Sequence, residues 1–186
     1  MQAVLADGSV VITTASKNPD LFWALLGAGS SGIVTYFKLA TKPAPTVATY
    51  YQYNHYSPSI GTKTKATLAM QEFGATLAPK ELALRLFFNN DSFQVYGVYW
   101  GPKTKWEKAI APLLARLPVD GRVPAVPGQE MEWLPTLVQL NNGSRLEQPW
   151  GYNIHETFFT KSIVTPESVH LDEATVKNFF TYLATD

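Results

Sequence analysis

The chain contains no cysteine, which excludes a disulfide framework and any thiolate metal site. Charge is scarce too: Asp, Glu, Lys and Arg make up 16% of the 186 residues, against about 25% in an ordinary globular protein. The few charges balance, fifteen basic against fifteen acidic. No basic field is present to attract nucleic acid, and no Lys/Arg run marks a membrane-surface helix. No apolar run approaches the roughly 20 residues needed to cross a bilayer. The first residues carry no basic segment followed by an apolar one, so no signal peptide is read there. The three histidines are scattered, and neither HExxH nor GxSxG occurs. A zinc site and a hydrolase triad therefore lack their usual anchors.

Aromatic residues are plentiful, at 13% of the chain: nine Tyr, ten Phe and five Trp. Such a composition suits a well-filled sheet core, with or without an aromatic-lined pocket. Two sequons, Asn90-Asp91-Ser92 and Asn142-Gly143-Ser144, permit N-glycosylation in a secretory setting.

Residues Met1 to Thr14 read as a hairpin turning at Asp7-Gly8, with Val10, Val11 and Ile12 as the returning strand. Asn18-Pro19-Asp20 marks a helix start, with Asn18 as a capping side chain and Pro19 in the first turn. The helix stops at Gly27, and a small-residue loop to Gly32 leads into a strand from Ile33 to Leu39. Pro43 to Pro45 read as a junction that divides the chain into 1–43 and 44–186. Beyond it, Val47 to Tyr53 has strand composition. Lys63 to Leu77 fits a helix burying Leu68, Met70, Phe73 and Leu77. Strands over Leu82–Phe88 and Phe93–Trp100 flank the turn-rich Asn89-Asn90-Asp91-Ser92. Trp106, Ile110, Leu113, Leu114 and Leu117 predict an amphipathic helix over Lys103–Leu117.

The proline- and glycine-rich stretch Pro118–Gln129 reads as an extended loop, Met131–Leu140 as a short helix and Asn141–Tyr152 as another loop. His155–Val164 has strand composition. Val176, Phe179, Phe180 and Leu183 form a last helix, with Asp172 and Glu173 at its start. Strands interleaved with helices, and a hairpin, predict an α+β fold: a mainly antiparallel sheet covered by helices.

The most informative stretch is Asn18 to Thr35, NPDLFWALLGAGSSGIVT. Its glycines let backbone approach a ligand closely, and exposed amides there can cradle phosphate oxygens. The GxGxxG fingerprint belongs between a strand and the following helix; here the order is helix, loop, strand, which disfavours a Rossmann site. By itself the loop reads as a helix C-cap.

VLADGSVV (Val4 to Val11), NPDLFWAL (Asn18 to Leu25) and GAGSSGIVT (Gly27 to Thr35) follow one another with short gaps. Together they resemble the end of the FAD-binding domain in the berberine bridge enzyme-like branch of the vanillyl-alcohol oxidase flavoprotein family. The resemblance implies the last piece of a PCMH-type FAD-binding domain over 1–43 and a substrate domain over 44–186. It also implies FAD contacts at Gly27, Gly29, Ser30, Gly32, Ile33 and Val34. Two departures stand out: Leu26 replaces the usual Arg, and the usual Phe between Ser31 and Gly32 is missing.

LALRLFFNN (Leu82 to Asn90), VYGVYWG (Val95 to Gly101) and GYNIHETFFTKSIVTP (Gly151 to Pro166) are similar to the fungal carbohydrate oxidases of that branch. This implies oxidation of the reducing-end C1 hydroxyl of an oligosaccharide to a lactone, with O₂ reduced to H₂O₂. Alternatives of the same family are oxidation of alcohols, alkaloids or polyketides; another is a degenerate, non-catalytic binding domain. The resemblance places the flavin-tethering residues in an earlier part of the FAD domain and the catalytic base beyond the C-terminus. No catalytic residue is therefore expected within the chain, and the chain alone is expected to hold FAD weakly and to be inactive. Faces that pack on the rest of such a domain would be exposed, favouring self-association. A full-length member is expected to be secreted.

A sugar site needs aromatic faces and hydrogen-bonding side chains. Arg85, Gln94, Tyr96 and Tyr99 on neighbouring strands, with Tyr152 from a loop, are the candidates. Tyr96 and Tyr99 fall on opposite faces of one strand, so not all can line one pocket. His55, His155 and His170 are expected to be structural, hydrogen-bonded residues, and no metal ligand set is expected.

Overall fold

The computed structural model describes residues 1–27, 29–89, 91–147, 162, 164 and 169–185. It divides into two compact units, Met1–Pro43 and Ala44–Asp186.

The first unit is a three-stranded antiparallel sheet, β1 (Gln2–Val4), β2 (Val10–Ile12) and β3 (Ile33–Tyr36), in the order β2-β1-β3. The turn between β1 and β2 is tied by Leu5 N–H to Ser9 O at 2.9 Å and by Ser9 N–H to the Asp7 carboxylate at 2.9 Å. Those bonds from Ser9 hold the Asp7 carboxyl below its usual range. Helix α1 (Pro19–Leu25) starts with Pro at its first turn, but Asn18 does not cap it. Asn18 sits in the left-handed region, φ 50°, and its amide donates to Ile12 O at 2.9 Å instead. Strand β3 ends at Tyr36, so Phe37 and Leu39 stand exposed rather than paired. The unit is too small to cover its own apolar side chains: Val10, Ile12, Trp23, Leu26, Ile33 and Tyr36 are exposed as well.

The second unit is built on a four-stranded antiparallel sheet. Its strands are β4 (Ala48–Tyr56), β5 (Leu82–Phe88), β6 (Ser92–Tyr99) and β7 (Arg122–Met131), ordered β5-β6-β4-β7. The β5–β6 turn is fixed by Asn89, whose side-chain oxygen accepts from Ser92 N–H at 2.7 Å and Ser92 O–H at 2.9 Å. Strand β7 occupies the stretch whose prolines predict a loop. It is an edge strand, where Pro124 and Pro127 need not donate to a second neighbour. Its ladder with β4 is also irregular twice, between Tyr50 and Gln52 and between Gln52 and Tyr53. Each irregularity admits an extra β7 residue.

Helices α2 (Ile60–Thr76), α3 (Lys103–Arg116) and α5 (Glu173–Leu183) accompany this sheet. Ser59 caps α2 by accepting from Thr62 N–H, and Asp172 caps α5 by accepting from Thr175 N–H at 2.7 Å. The buried face of α2 is Thr64, Ala66, Ala69 and Phe73. Leu68 and Met70 are half-buried and Leu77 is exposed. Helix α3 buries Trp106, Ile110 and Leu113 as its spacing predicts. Helix α5 buries Val176 and Phe180 but leaves Phe179 and Leu183 exposed. Gln71 ties the entrance of α5 to α2, donating to Leu171 O at 3.1 Å and accepting from Leu171 N–H at 2.9 Å.

The core lies on one face of the sheet. Tyr51, Tyr53, Leu82, Phe93, Val95 and Tyr99 meet Ala66, Phe73, Trp106, Ile110 and Leu113 there. Gly97 shows how tight it is: Tyr51, its register partner, reaches across it to donate to Ala83 O at 3.0 Å. A Cβ on Gly97 would collide with that same carbonyl. His55 is fully buried on this face, stacked on Phe93 with ring centroids 4.0 Å apart. The expected hydrogen-bonded histidine is not realised with good geometry: neither ring nitrogen makes a well-formed bond, and the Asp120 backbone supplies only a weak polar contact. Burial, reinforced by the Arg122 guanidinium and opposed by the Asp120 backbone, lowers its pKa to about 4. His155 lies outside the described residues, as does nearly all of the strand read over His155–Val164.

Candidate functional site

The alternation of side chains along a strand sends residues i, i+2 and i+4 to one face. With Tyr51, Tyr53, Phe93, Val95 and Tyr99 committed to the core, the intervening residues face the other way. The register sets them in rows. Phe87, Gln94 and Asn54 form one row, and Arg85, Tyr96 and Gln52 the next. Ala83, Val98 and Tyr50 form a third. Tyr50 and Val98 are buried with Ala48, beside Trp100, Val126 and Met131. Helix α4 (Trp133–Leu140) packs at this end: the Trp100 and Trp133 rings are 5.2 Å apart, and Gln139 lies against the Tyr50 hydroxyl.

The first two rows remain open. Gln52, Asn54, Gln94 and Tyr96 are half-buried, while Arg85, Phe87 and the adjacent Tyr56 are exposed. The Arg85 guanidinium lies over the Tyr96 ring, 5.8 Å from its centroid, a cation–π arrangement. Along β4 the polar side chains are joined. Tyr50 O–H donates to Gln52 Oε1 at 2.8 Å, Gln52 Nε2 to Asn54 Oδ1 at 2.9 Å, and Asn54 Nδ2 to the Tyr56 oxygen at 3.2 Å. Aromatic rings, amides and one guanidinium in a shallow patch can stack on an apolar ring face and bond several hydroxyls at once.

Of the sequence-predicted residues, Arg85, Gln94 and Tyr96 are brought together on this face. Tyr99 is not: it points to the helices and belongs to the core, 8% exposed. Tyr152 lies outside the described residues. Sequence reading missed Gln52, Asn54, Tyr56 and Phe87. The period-2 pattern of β4 carried the signal for the first three, but the strand was expected to end at Tyr53, which cut off Asn54 and Tyr56.

In the first unit, Gly27, Gly29 and Ser30 lie in the turn between α1 and β3. Gly27 N–H is used by the helix end, bonded to Ala24 O at 3.2 Å. The amides of Gly29 and Ser30 have no partner among the described residues. The space where a Cβ of Gly27 or Gly29 would stand is empty. Ile33 and Val34 pair with Val4 and Ala3 on an edge strand, whose other side offers backbone groups outward. Free amides, empty Cβ positions and an open strand edge fit close approach by a phosphate-bearing nucleotide. Among the described residues no group of three His, Asp or Glu side chains is arranged to hold a metal ion.

No protein-family model matches the chain. Related proteins do. The xylooligosaccharide oxidase of Thermothelomyces thermophilus is 37% identical over 166 residues, covering 87% of this chain and 32% of that protein. The structure of the glucooligosaccharide oxidase from Acremonium strictum, described with a 6-S-cysteinyl, 8α-N1-histidyl FAD, superposes with a TM-score of 0.85 at 26% identity. It covers 97% of this chain and 37% of that one. A BBE-like protein of Physcomitrella patens matches 76% of this chain and 30% of its own, with a TM-score of 0.66 at 27% identity. The chain thus spans about a third of the length of the curated relatives it matches. The homologues of this chain are thus fungal oligosaccharide oxidases and FAD-linked oxidoreductases, and BBE-like proteins are among its structural neighbours.

Proposed function

We propose that this chain is part of an FAD-dependent oligosaccharide oxidase, with the first unit ending its FAD-binding domain and the second forming most of its substrate domain. The observation that carries the reading is the open half of the sheet. Arg85, Gln94, Tyr96, Gln52 and Asn54 form a polar, aromatic patch in a chain whose homologues oxidise oligosaccharides. FAD, when bound, supplies the hydride acceptor: the reducing-end C1 loses a hydride and its hydroxyl a proton, giving a lactone, and O₂ takes up both electrons and two protons to give H₂O₂. The residues of this chain bind and orient. Tyr96 offers its ring to a pyranose face, while Arg85, Gln94, Gln52 and Asn54 hold hydroxyl oxygens. Gly29 and Ser30 present free amides to the nucleotide, beside Gly27, Gly32, Ile33 and Val34. The chain has no cysteine, so a cysteinyl link to the flavin cannot be made within it.

The test is a titration of the isotope-labelled chain with cellobiose and, separately, with benzyl alcohol. Cellobiose should shift the signals of Gln52, Asn54, Arg85, Gln94 and Tyr96 together, and benzyl alcohol should not. Shifts with the alcohol alone would favour an alcohol oxidase of the same family. Signals that stay put with both would refute a ligand site on this face.

A further inference from the structure

We propose that Tyr50 is a positioning residue, whose buried hydroxyl sets the direction of the hydrogen-bonded row along β4 and thereby the donor pattern of the open face. This rests on reading that face as the sugar-contacting surface. Four side chains at every second position of one strand are linked, and all three bonds run the same way, from Tyr50 through Gln52 and Asn54 to Tyr56. An amide by itself has no fixed direction, because turning it over exchanges donor and acceptor at little cost in shape. A row of amides takes its direction from its end. The inner end here is Tyr50, 4% exposed, with its ionisation suppressed by burial.

The Tyr50 hydroxyl, with Gln139 of α4 beside it, directs its proton to Gln52 Oε1 at 2.8 Å. Gln52 must in turn give an N–H to Asn54, and Asn54 an N–H to Tyr56. Each amide keeps its second N–H, and Tyr56, having accepted, keeps its proton to give outward. With the Arg85 guanidinium alongside, the face offers mainly donors. It therefore takes ligand oxygens as acceptors, the ring and hydroxyl oxygens of a sugar among them. Hydrogen bonds in such a row also polarise one another, so the direction set at Tyr50 strengthens the exposed end.

The variant Tyr50→Phe removes one hydroxyl and leaves the ring in place. Cellobiose binding should weaken about three- to tenfold, the range of one ordinary hydrogen bond. The side-chain NH₂ signals of Gln52 and Asn54 should move, although neither residue is altered, while methyl signals of Ile110 and Leu113 stay fixed. Gln52→Glu keeps the shape but has no N–H to pass on, and should lose affinity to a similar degree. Wild-type affinity in Tyr50→Phe with unmoved Gln52 and Asn54 signals would overturn the proposal. If the unaltered chain binds no sugar, the reading of the face as a sugar surface fails. The amide signals of Tyr50→Phe then decide the row separately: moved signals uphold its direction, and unmoved ones refute it.

Discussion

The two faces of the four-stranded sheet are made from the same strands and differ in nearly everything else. One holds Tyr51, Phe93, Val95 and Tyr99 against the helices and leaves no room even for a Cβ at Gly97. The other holds Gln52, Asn54, Gln94 and Tyr96, half-covered and joined by side-chain hydrogen bonds. Apolar burial stabilises the first face, at about 1.5–3 kcal/mol for each large side chain removed from water. The second keeps polar groups where water or a ligand can satisfy them, so it contributes little to folding. On the proposed reading of the open face, the parity of one residue separates stability from recognition.

The largest effect that would sharpen this contrast is Phe93→Ala, which empties the centre of the covered face and removes the ring stacked on His55. It should destabilise the chain by about 3–5 kcal/mol in denaturant unfolding. Acid should act on the same face through His55. Its folded pKa, about 4, lies below the ordinary 6.5, so the unfolded chain binds the proton more readily. Its contribution to stability is complete above about pH 6.5 and is lost as pH falls towards 4, by roughly 3 kcal/mol across that interval. His55→Leu should flatten the unfolding curve in that window; an unchanged pH slope would contradict the assignment.

Gly97→Ala forces a methyl against Ala83 O and should cost about 1–3 kcal/mol, read as a lowered melting temperature. Arg85→Ala on the open face should change stability by no more than about 0.5 kcal/mol. It should nevertheless weaken cellobiose binding. A large loss of stability there would show that the open face is a core after all.

Much of the fold was legible because its periodicities are strong. The Trp106–Ile110–Leu113 spacing placed α3, and β5 and β6 stood out on either side of Asn89–Ser92. Strand β7 was hidden because Pro124 and Pro127 argue against a strand unless it lies at an edge with irregular pairing, and edge position is a property of the assembled sheet. The buried side of α2 was misread because Ala66 and Ala69 are small, whereas Leu77 looks apolar and is exposed. At the candidate site, Arg85, Gln94 and Tyr96 were reachable from composition and alternation. Tyr99 could be assigned only once the helices showed which face they cover. The row from Tyr50 to Tyr56 depended on a strand that runs three residues further than the sequence indicated. The stretch from Gly27 to Thr35 was legible through resemblance, while its open amides and strand edge are properties of the folded chain.

Phe93 and Gln94 are neighbours in sequence and face opposite ways. The most direct measurement is therefore a cellobiose titration of Gln94→Ala, run beside its thermal melt. We expect a melting temperature close to that of the unaltered chain and an affinity lower by about tenfold, the loss of a strong hydrogen bond at the open face. Wild-type affinity in a normally folded Gln94→Ala chain would contradict the claim that this face meets the sugar.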